Sequence, residues 1–416
     1  MTLQRFSRRR FLAGLSTGVT TILTGCVSSQ NKERTGITSD RTTSEGESSD
    51  LPTEFVTRKG TNFGLDDKRF RFTGVNNCCI ANGYTSTTRT VDVLSAVPKL
   101  EADVIRFKIG AVGDTSDCGS DVDGCTLGYQ SSPGKFNETA LQHLDSVIAT
   151  AGKHGVRVII PFVDNWGSSG IQQYVDWSDT AETHDDFYTD EQAQSHYRDF
   201  IEEVVTRTNT VTGREYRNDP TILMWEVANE ARISKEHSPL VSWARSTASF
   251  IKDIDQNHLV STGGGFYDLD LFTAIHDIDE IDACSMHLWP QDWGVSGDIE
   301  SYSQQYLADR AQRATGVIEK PIYLGEYGWW INIQSEKVTE QINRRNELFS
   351  KWHNIVIEQG IDGGLTWELL STGRYEYHRT ENNKGRTTGF HYPTHDQTCS
   401  EIQSFAQRME GASTLV

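Results

Sequence analysis

Two glutamates stand where apolar runs end. Glu230 follows Thr221-Ile-Leu-Met-Trp-Glu-Val-Ala-Asn229, and Glu326 follows Lys320-Pro-Ile-Tyr-Leu-Gly325. Each run reads as a buried strand, so each Glu marks the point where a strand gives way to a loop. Asn229 sets an amide beside the first Glu, able to bond a ligand hydroxyl. Gly325 and Gly328 flank the second and allow close backbone approach. Two carboxyls converging on one bond can divide the work of glycosidic cleavage: one protonates the leaving oxygen and the other attacks the sugar carbon. Their surroundings must then push the two pKa values apart. Either Glu alone is more simply a salt-bridged or helix-capping carboxylate. That explanation weakens for a pair 96 positions apart with both members at strand ends. Glu226 competes with Glu230, and reads equally as a strand residue paired with an Arg.

The elements that would bring such a pair together are legible in the same way. Candidate strands are Arg71–Asn76, Val104–Ile109, Val156–Val163, Ile222–Ala228, His258–Thr262, Ile281–His287, Pro321–Glu326 and Gly363–Glu368. Between them lie amphipathic stretches such as Glu138–His154, Glu191–Thr208, Leu240–Asp255 and Val338–Gly360. Strand and helix in alternation predict an α/β fold, a parallel sheet covered by helices. Eight such units predict a single (β/α)8 TIM barrel with long loops at its C-terminal face, where the chemistry of such barrels sits. Glu230 and Glu326 end the fourth and seventh strands, and so face each other across the mouth. An opening hairpin, Phe55–Phe70, is placed to plug the bottom.

With the elements set, a longer series of motifs resembles glycoside hydrolase family 5, and within it the endo-β-1,4-mannanases. The likeness runs from about Phe55 to about Ser400. It is carried by Gln130-Ser-Ser-Pro-Gly-Lys-Phe-Asn-Glu138, Asn165-Trp166, Gln173-Tyr-Val-Asp-Trp177, Asn218-Asp-Pro-Thr-Ile222, Asn229-Glu-Ala-Arg232, Asp255-Gln-Asn-His-Leu-Val260 and His287-Leu-Trp-Pro290 with Trp293-Gly294. The resemblance implies a retaining mechanism on β-mannan, with Glu230 as acid/base and Glu326 as nucleophile. It implies that Arg106 contacts the nucleophile, Asn229 bonds the sugar 2-hydroxyl, and His287 orients the site. Trp367 would lie under the sugar, Asn165 and Trp166 would line the cleft, and Arg232 would stand on the leaving-group side. Two departures accompany it. Trp289 occupies a position where the family usually has a Tyr that touches the nucleophile, and Ala231 stands where Pro commonly follows the acid/base. Trp329 and Trp330 either stack on sugars or pack the loop. Tyr375, Tyr377 and His378 are placed to bound the cleft. Trp177, Trp225, Trp243 and Trp352 read as core.

Around this body the chain has a different character. Ser7-Arg-Arg-Arg-Phe-Leu12 resembles a twin-arginine export signal, and Leu23-Thr-Gly-Cys26 a lipobox. Residues 1–26 are therefore read as a cleaved signal with Cys26 as lipid anchor, residues 27–52 as a disordered Ser/Thr-rich tether, and 53–416 as the catalytic barrel. The expected location is extracellular or at the cell surface, with no membrane contact except that anchor. The 416 residues carry 39 basic and 58 acidic side chains, a net charge of -19. Loss of the four Arg of residues 1–26 takes this to -23, which suits a salt-adapted protein and disfavours nucleic acid as partner. A monomer is expected, and no metal or organic cofactor is implied. Six Cys remain after Cys26, and Cys118 with Cys125 is the nearest plausible disulfide. A β-1,4-glucanase or exo-β-mannosidase of the same family remains the alternative, with a non-catalytic polysaccharide-binding lipoprotein behind it.

Overall fold

Eight parallel strands curl into a barrel in the computed structural model, which describes residues 51–78, 80–81, 87–109, 128–166, 170–372 and 385–413. The strands are β1 (Phe72–Asn76), β2 (Val104–Arg106), β3 (Arg157–Pro161), β4 (Ile222–Glu226), β5 (Leu259–Ser261), β6 (Cys284–Leu288), β7 (Ile322–Tyr327) and β8 (Gly363–Thr366). Each pairs in parallel with its sequence neighbours, β8 pairs with β1, and a bridge from Ser261 to Ala283 links the β5 and β6 edges. All eight predicted strands are present. Several end earlier than the apolar runs suggest, because the last apolar residues have already left the ladder. The fourth stops at Glu226, so Glu230 sits four residues beyond it.

Every strand residue is buried. One face meets the barrel interior and the other meets the helices, which is why these runs are continuously apolar instead of alternating. Among the described residues, one long helix follows each strand: α1 (Thr87–Lys99), α2 (Glu138–Lys153), α3 (Glu191–Val205), α4 (Ser238–Ile254), α5 (Leu269–His276), α6 (Ile299–Arg313), α7 (Val338–Glu358) and α8 (Asp396–Ser413). Their starts are written locally. Asn137, Asp190, Asp268 and Asp298 accept hydrogen bonds from first-turn amides of α2, α3, α5 and α6.

The predicted opening hairpin is a three-stranded meander, Thr57–Lys59, Asn62–Leu65 and Lys68–Arg69. The extra reversal falls at Gly60, whose φ of 62° favours glycine. Val56 and Phe63 pack with Phe72, Val104, Leu259 and Leu365 inside the barrel. Phe72, Val104 and Leu259 open their strands, so the plug closes the bottom and leaves the opposite end open. Trp225, Trp243 and Trp352 are buried as expected, while Trp177 is half-buried against the core. Cys284 and Cys399 are free, buried thiols. Cys118, Cys125, Tyr375, Tyr377, His378 and the signal segment lie outside the described residues.

Candidate active site

Arg106, the last residue of β2, organises the mouth of the barrel. It is 1% exposed, and all five of its N–H groups have acceptors. Nε and Nη2 grip Glu226 at 3.0 and 2.7 Å. Nη1 donates to Glu326 Oε1 at 2.7 Å and to Asn76 Oδ1 at 3.1 Å, and Nη2 also donates to Asn229 Oδ1 at 2.7 Å. Glu226 is thus the Arg-paired strand residue; Tyr323 Oη donates to its other side at 2.6 Å. Burial works against the Arg106 charge, but Glu226 and Glu326 outweigh it and raise its pKa.

Glu326 lies inside β7 and points its second oxygen toward Trp289, whose Nε1 donates to Oε2 at 3.2 Å. The indole therefore reaches the carboxylate from the position where the family usually carries a Tyr. Gly328 makes this possible, because any Cβ there would collide with the Trp289 ring.

Glu230 is held by different means. Its backbone is left-handed, with φ 53°, a conformation that costs a non-glycine residue about 1–2 kcal/mol. Hydrogen bonds on both sides maintain it: Asn229 N–H donates to Val163 O at 2.6 Å and Glu230 N–H to Gly263 O at 3.0 Å. The carboxyl meets His287 Nδ1 through Oε1 at 2.8 Å and Trp166 Nε1 through Oε2 at 2.6 Å, with Arg232 Nη2 at 3.5 Å. Burial pushes its pKa up. The hydrogen bond and charge of His287, then Arg232 and Trp166, push harder the other way and lower it to about 2. His287 Nδ1 is also 3.7 Å from Glu326 Oε2, so the imidazole touches both carboxyls.

The two glutamates and His287 offer atoms that all lie within 4.8 Å of one another. The same trio could ligate a cation. As carboxyls, one paired with a guanidinium and one bonded to an imidazole, they also meet the geometric need for bond cleavage between them.

Residues 53–374 match the sequence model for family 5 glycoside hydrolases of the β-mannosidase-like type. The chain belongs to glycoside hydrolase family 5. A mannan endo-1,4-β-mannosidase of Solanum lycopersicum is 30% identical over 354 residues, covering 78% of this chain and 83% of its own. The endo-β-1,4-mannanase structure from Thermotoga petrophila superposes with TM-score 0.69 at 27% identity, covering 83% of this chain and 78% of that one. The endo-1,4-β-mannanase of Rhizomucor miehei, at 24% identity and TM-score 0.71 over 86% of this chain and all of its own, shares the fold.

In this family 5 hydrolase a pocket of 540 Å³ opens over the two glutamates. Trp166, Asn229, Arg232, Trp289, Trp293, Trp330 and Trp367 line it, as do Lys108, Asp164 and Asp292. Trp367 meets Trp289 edge-on at 6.1 Å, forming an aromatic corner above Glu326. Arg232 lies over the half-exposed Trp166 ring at 4.7 Å, on the Glu230 side. Asn165 lines an adjoining groove with His184 and Lys235, and Trp166 and Arg232 line both that groove and the catalytic pocket. Trp330 joins the pocket, its Nε1 donating to Asp292 at 3.0 Å, whereas Trp329 packs against the core. Lys108, Asp164, Asp292, Asn76 and Tyr323 escaped the sequence reading. Asp164 adjoins the Asn165-Trp166 motif, and Lys108 stands two positions after Arg106. Only their neighbours hinted at them.

Proposed function

We propose that this hydrolase is a retaining endo-β-1,4-mannanase, with Glu326 as nucleophile and Glu230 as acid/base. The observation that carries the reading is the closeness of the two carboxyl groups, under 5 Å between oxygens, combined with their unlike partners. A retaining pair stands about 5–5.5 Å apart, while an inverting pair needs about 6.5–9.5 Å to admit water. The guanidinium of Arg106 aims Glu326 through a 2.7 Å charge-assisted hydrogen bond. Glu326 attacks the anomeric carbon as Glu230 protonates the departing oxygen. Glu230 then takes a proton from a water whose oxygen attacks the anomeric carbon, breaking the bond to Glu326 and freeing the sugar. Mannan as substrate rests on the likeness to the tomato and Thermotoga enzymes. The test is product chromatography on mannan beside carboxymethyl-cellulose. A ladder of manno-oligosaccharides supports the reading. Mannose alone would indicate exo action, and cleavage of cellulose alone a glucanase.

His287 reaches Glu230 through a 2.8 Å hydrogen bond. Burial raises the Glu230 pKa, but that bond and the His287 charge, then Arg232 and Trp166, outweigh it and lower Glu230 to about 2. With His287→Asn the largest lowering influence is lost while burial remains, so the Glu230 pKa rises. The expected result is a basic limb of kcat/KM displaced to higher pH, measured on a soluble manno-oligosaccharide. An unmoved limb would show that His287 does not set the acidity of Glu230.

Trp289→Phe tests the indole hydrogen bond to Glu326. A bond to a charged group contributes about 1.5–3 kcal/mol, so kcat should fall roughly 10- to 100-fold with little change in fold. Unchanged kcat would reduce Trp289 to a packing residue.

The likeness of residues 1–26 to an export signal with a lipobox at Cys26, and the Ser/Thr-rich composition of residues 27–52, support action at the outer cell surface. Membrane fractionation of a Cys26→Ser variant tests this, a still membrane-bound variant being the contrary result.

A further inference from the structure

Asn229 is the residue whose amide lies closest in sequence to Glu230, and the protein holds it at both ends. Its Oδ1 accepts from Arg106 at 2.7 Å. Its Nδ2 donates to Asp164 Oδ1 at 2.8 Å. Arg106 can only donate, and both oxygens of Asp164 accept hydrogen bonds, so the amide can lie one way round. One N–H of Nδ2 is spent on Asp164 and the second is left for a ligand.

Asp164 is itself fixed. It sits just past β3, bridged in parallel to Asn229. Its Oδ2 accepts from Lys108 Nζ at 2.7 Å, and Oδ1 accepts weakly from Trp166 N–H at 3.4 Å. Both members of the ion pair are mostly buried, with side chains 14% and 18% exposed, and both line the catalytic pocket. Lys108 Nζ also stands 5.4 Å over the Trp367 ring. A lone carboxylate here would add negative charge beside Glu326. The ammonium cancels that charge and leaves the acceptor oxygen in place.

We propose that Asp164, charge-matched by Lys108, is a positioning residue that aims the remaining N–H of Asn229 at the 2-hydroxyl of the sugar under attack. This rests on the retaining mannanase reading above. Bonds to that hydroxyl tighten in the transition state, so Asp164 acts on turnover through Asn229 and touches no reacting atom.

The experiment compares 4-nitrophenyl β-mannobioside with its counterpart lacking the 2-hydroxyl on the sugar bonded to nitrophenol. Wild type, Asp164→Ala, Asp164→Asn, Asn229→Ala and the double variant Asp164→Asn/Lys108→Met are measured by kcat/KM. Asp164→Ala should slow the full substrate about tenfold or more and leave the 2-deoxy substrate nearly untouched, as Asn229→Ala does. Asp164→Asn and the double variant keep an acceptor for Asn229, so both should slow the full substrate less than Asp164→Ala does. Equal slowing of both substrates by Asp164→Ala and Asp164→Asn overturns the proposal, since a merely structural role would act on both alike. Wild-type enzyme that cleaves neither mannobioside, nor mannan, overturns the mannanase reading and the proposal with it. Wild type that cleaves both substrates equally well overturns the proposal alone, because Asn229 then has no 2-hydroxyl contact to aim.

Discussion

Replacing Glu326 by Ala should abolish mannan hydrolysis, with kcat reduced by about 10⁴-fold or more, because no other group can form the covalent intermediate. The side chain sits within β7, is 4% exposed, and is held by Arg106 and Trp289. Its removal leaves a small space facing the sugar carbon. Added azide should enter that space and attack the same face, restoring cleavage of an activated aryl mannoside and giving the α-mannosyl azide. In wild type, NMR should show the β-anomer first. Two results would sink the assignment: near-normal activity in the variant, or the α-anomer as the first product of the wild type. Glu230→Ala separates the two roles. It should cripple mannan cleavage, which needs a proton, yet spare the first step on a substrate with a good leaving group. A variant equally inactive on both would argue that Glu230 does something else.

Arg106→Met should be the most damaging change for stability and activity together. The guanidinium binds Glu226 and Glu326 at once, and the Glu226 side chain is wholly buried. Breaking a buried pair by removing one partner costs about 3–5 kcal/mol, because uncompensated charge stays behind. A clear loss of melting temperature is therefore expected, measured by calorimetry. A kcat loss of about 100-fold or more should accompany it, as the nucleophile loses the bond that aims it. The double variant Arg106→Met/Glu226→Gln should recover much of the stability, since the carboxylate stranded under the site becomes a neutral amide. It should recover little activity, because Glu326 remains unpaired. Full recovery of both would mean that Arg106 is only structural. No stability loss in the single variant would mean that the Arg106–Glu226 pair does not hold the fold together.

Much of this protein was readable one segment at a time. Strand and helix periodicity are local, and the eight apolar runs and the segments between them appear in order as β1–β8 and α1–α8. The placement of Glu230 and Glu326 after the fourth and seventh runs followed from the same local signal, and with it a mouth where they could meet. Arg106, His287 and Trp367 were reached through family motifs, which summarise contacts that no single segment displays.

Tertiary structure decided what depends on distance between remote segments. Whether Glu226 or Glu230 pairs with Arg106 could not be read from two glutamates four positions apart. Closure of the barrel settles it, turning Glu226 under the guanidinium and carrying Glu230 past the strand end on a left-handed residue. The indole of Trp289 reaches Glu326 only because Gly328 leaves room and because β6 and β7 are adjacent. Asp164 and Lys108 had no motif to mark them; β2 and β3 being neighbours brings an ordinary Lys and an ordinary Asp to 2.7 Å. Asn165 lines a groove beside the catalytic pocket, and Trp166 lines both. Local composition determines which elements form and where they stop, because burial and hydrogen bonding act within a few residues. Which polar atoms then meet is set by strand order, shear and turns, which only the closed barrel possesses.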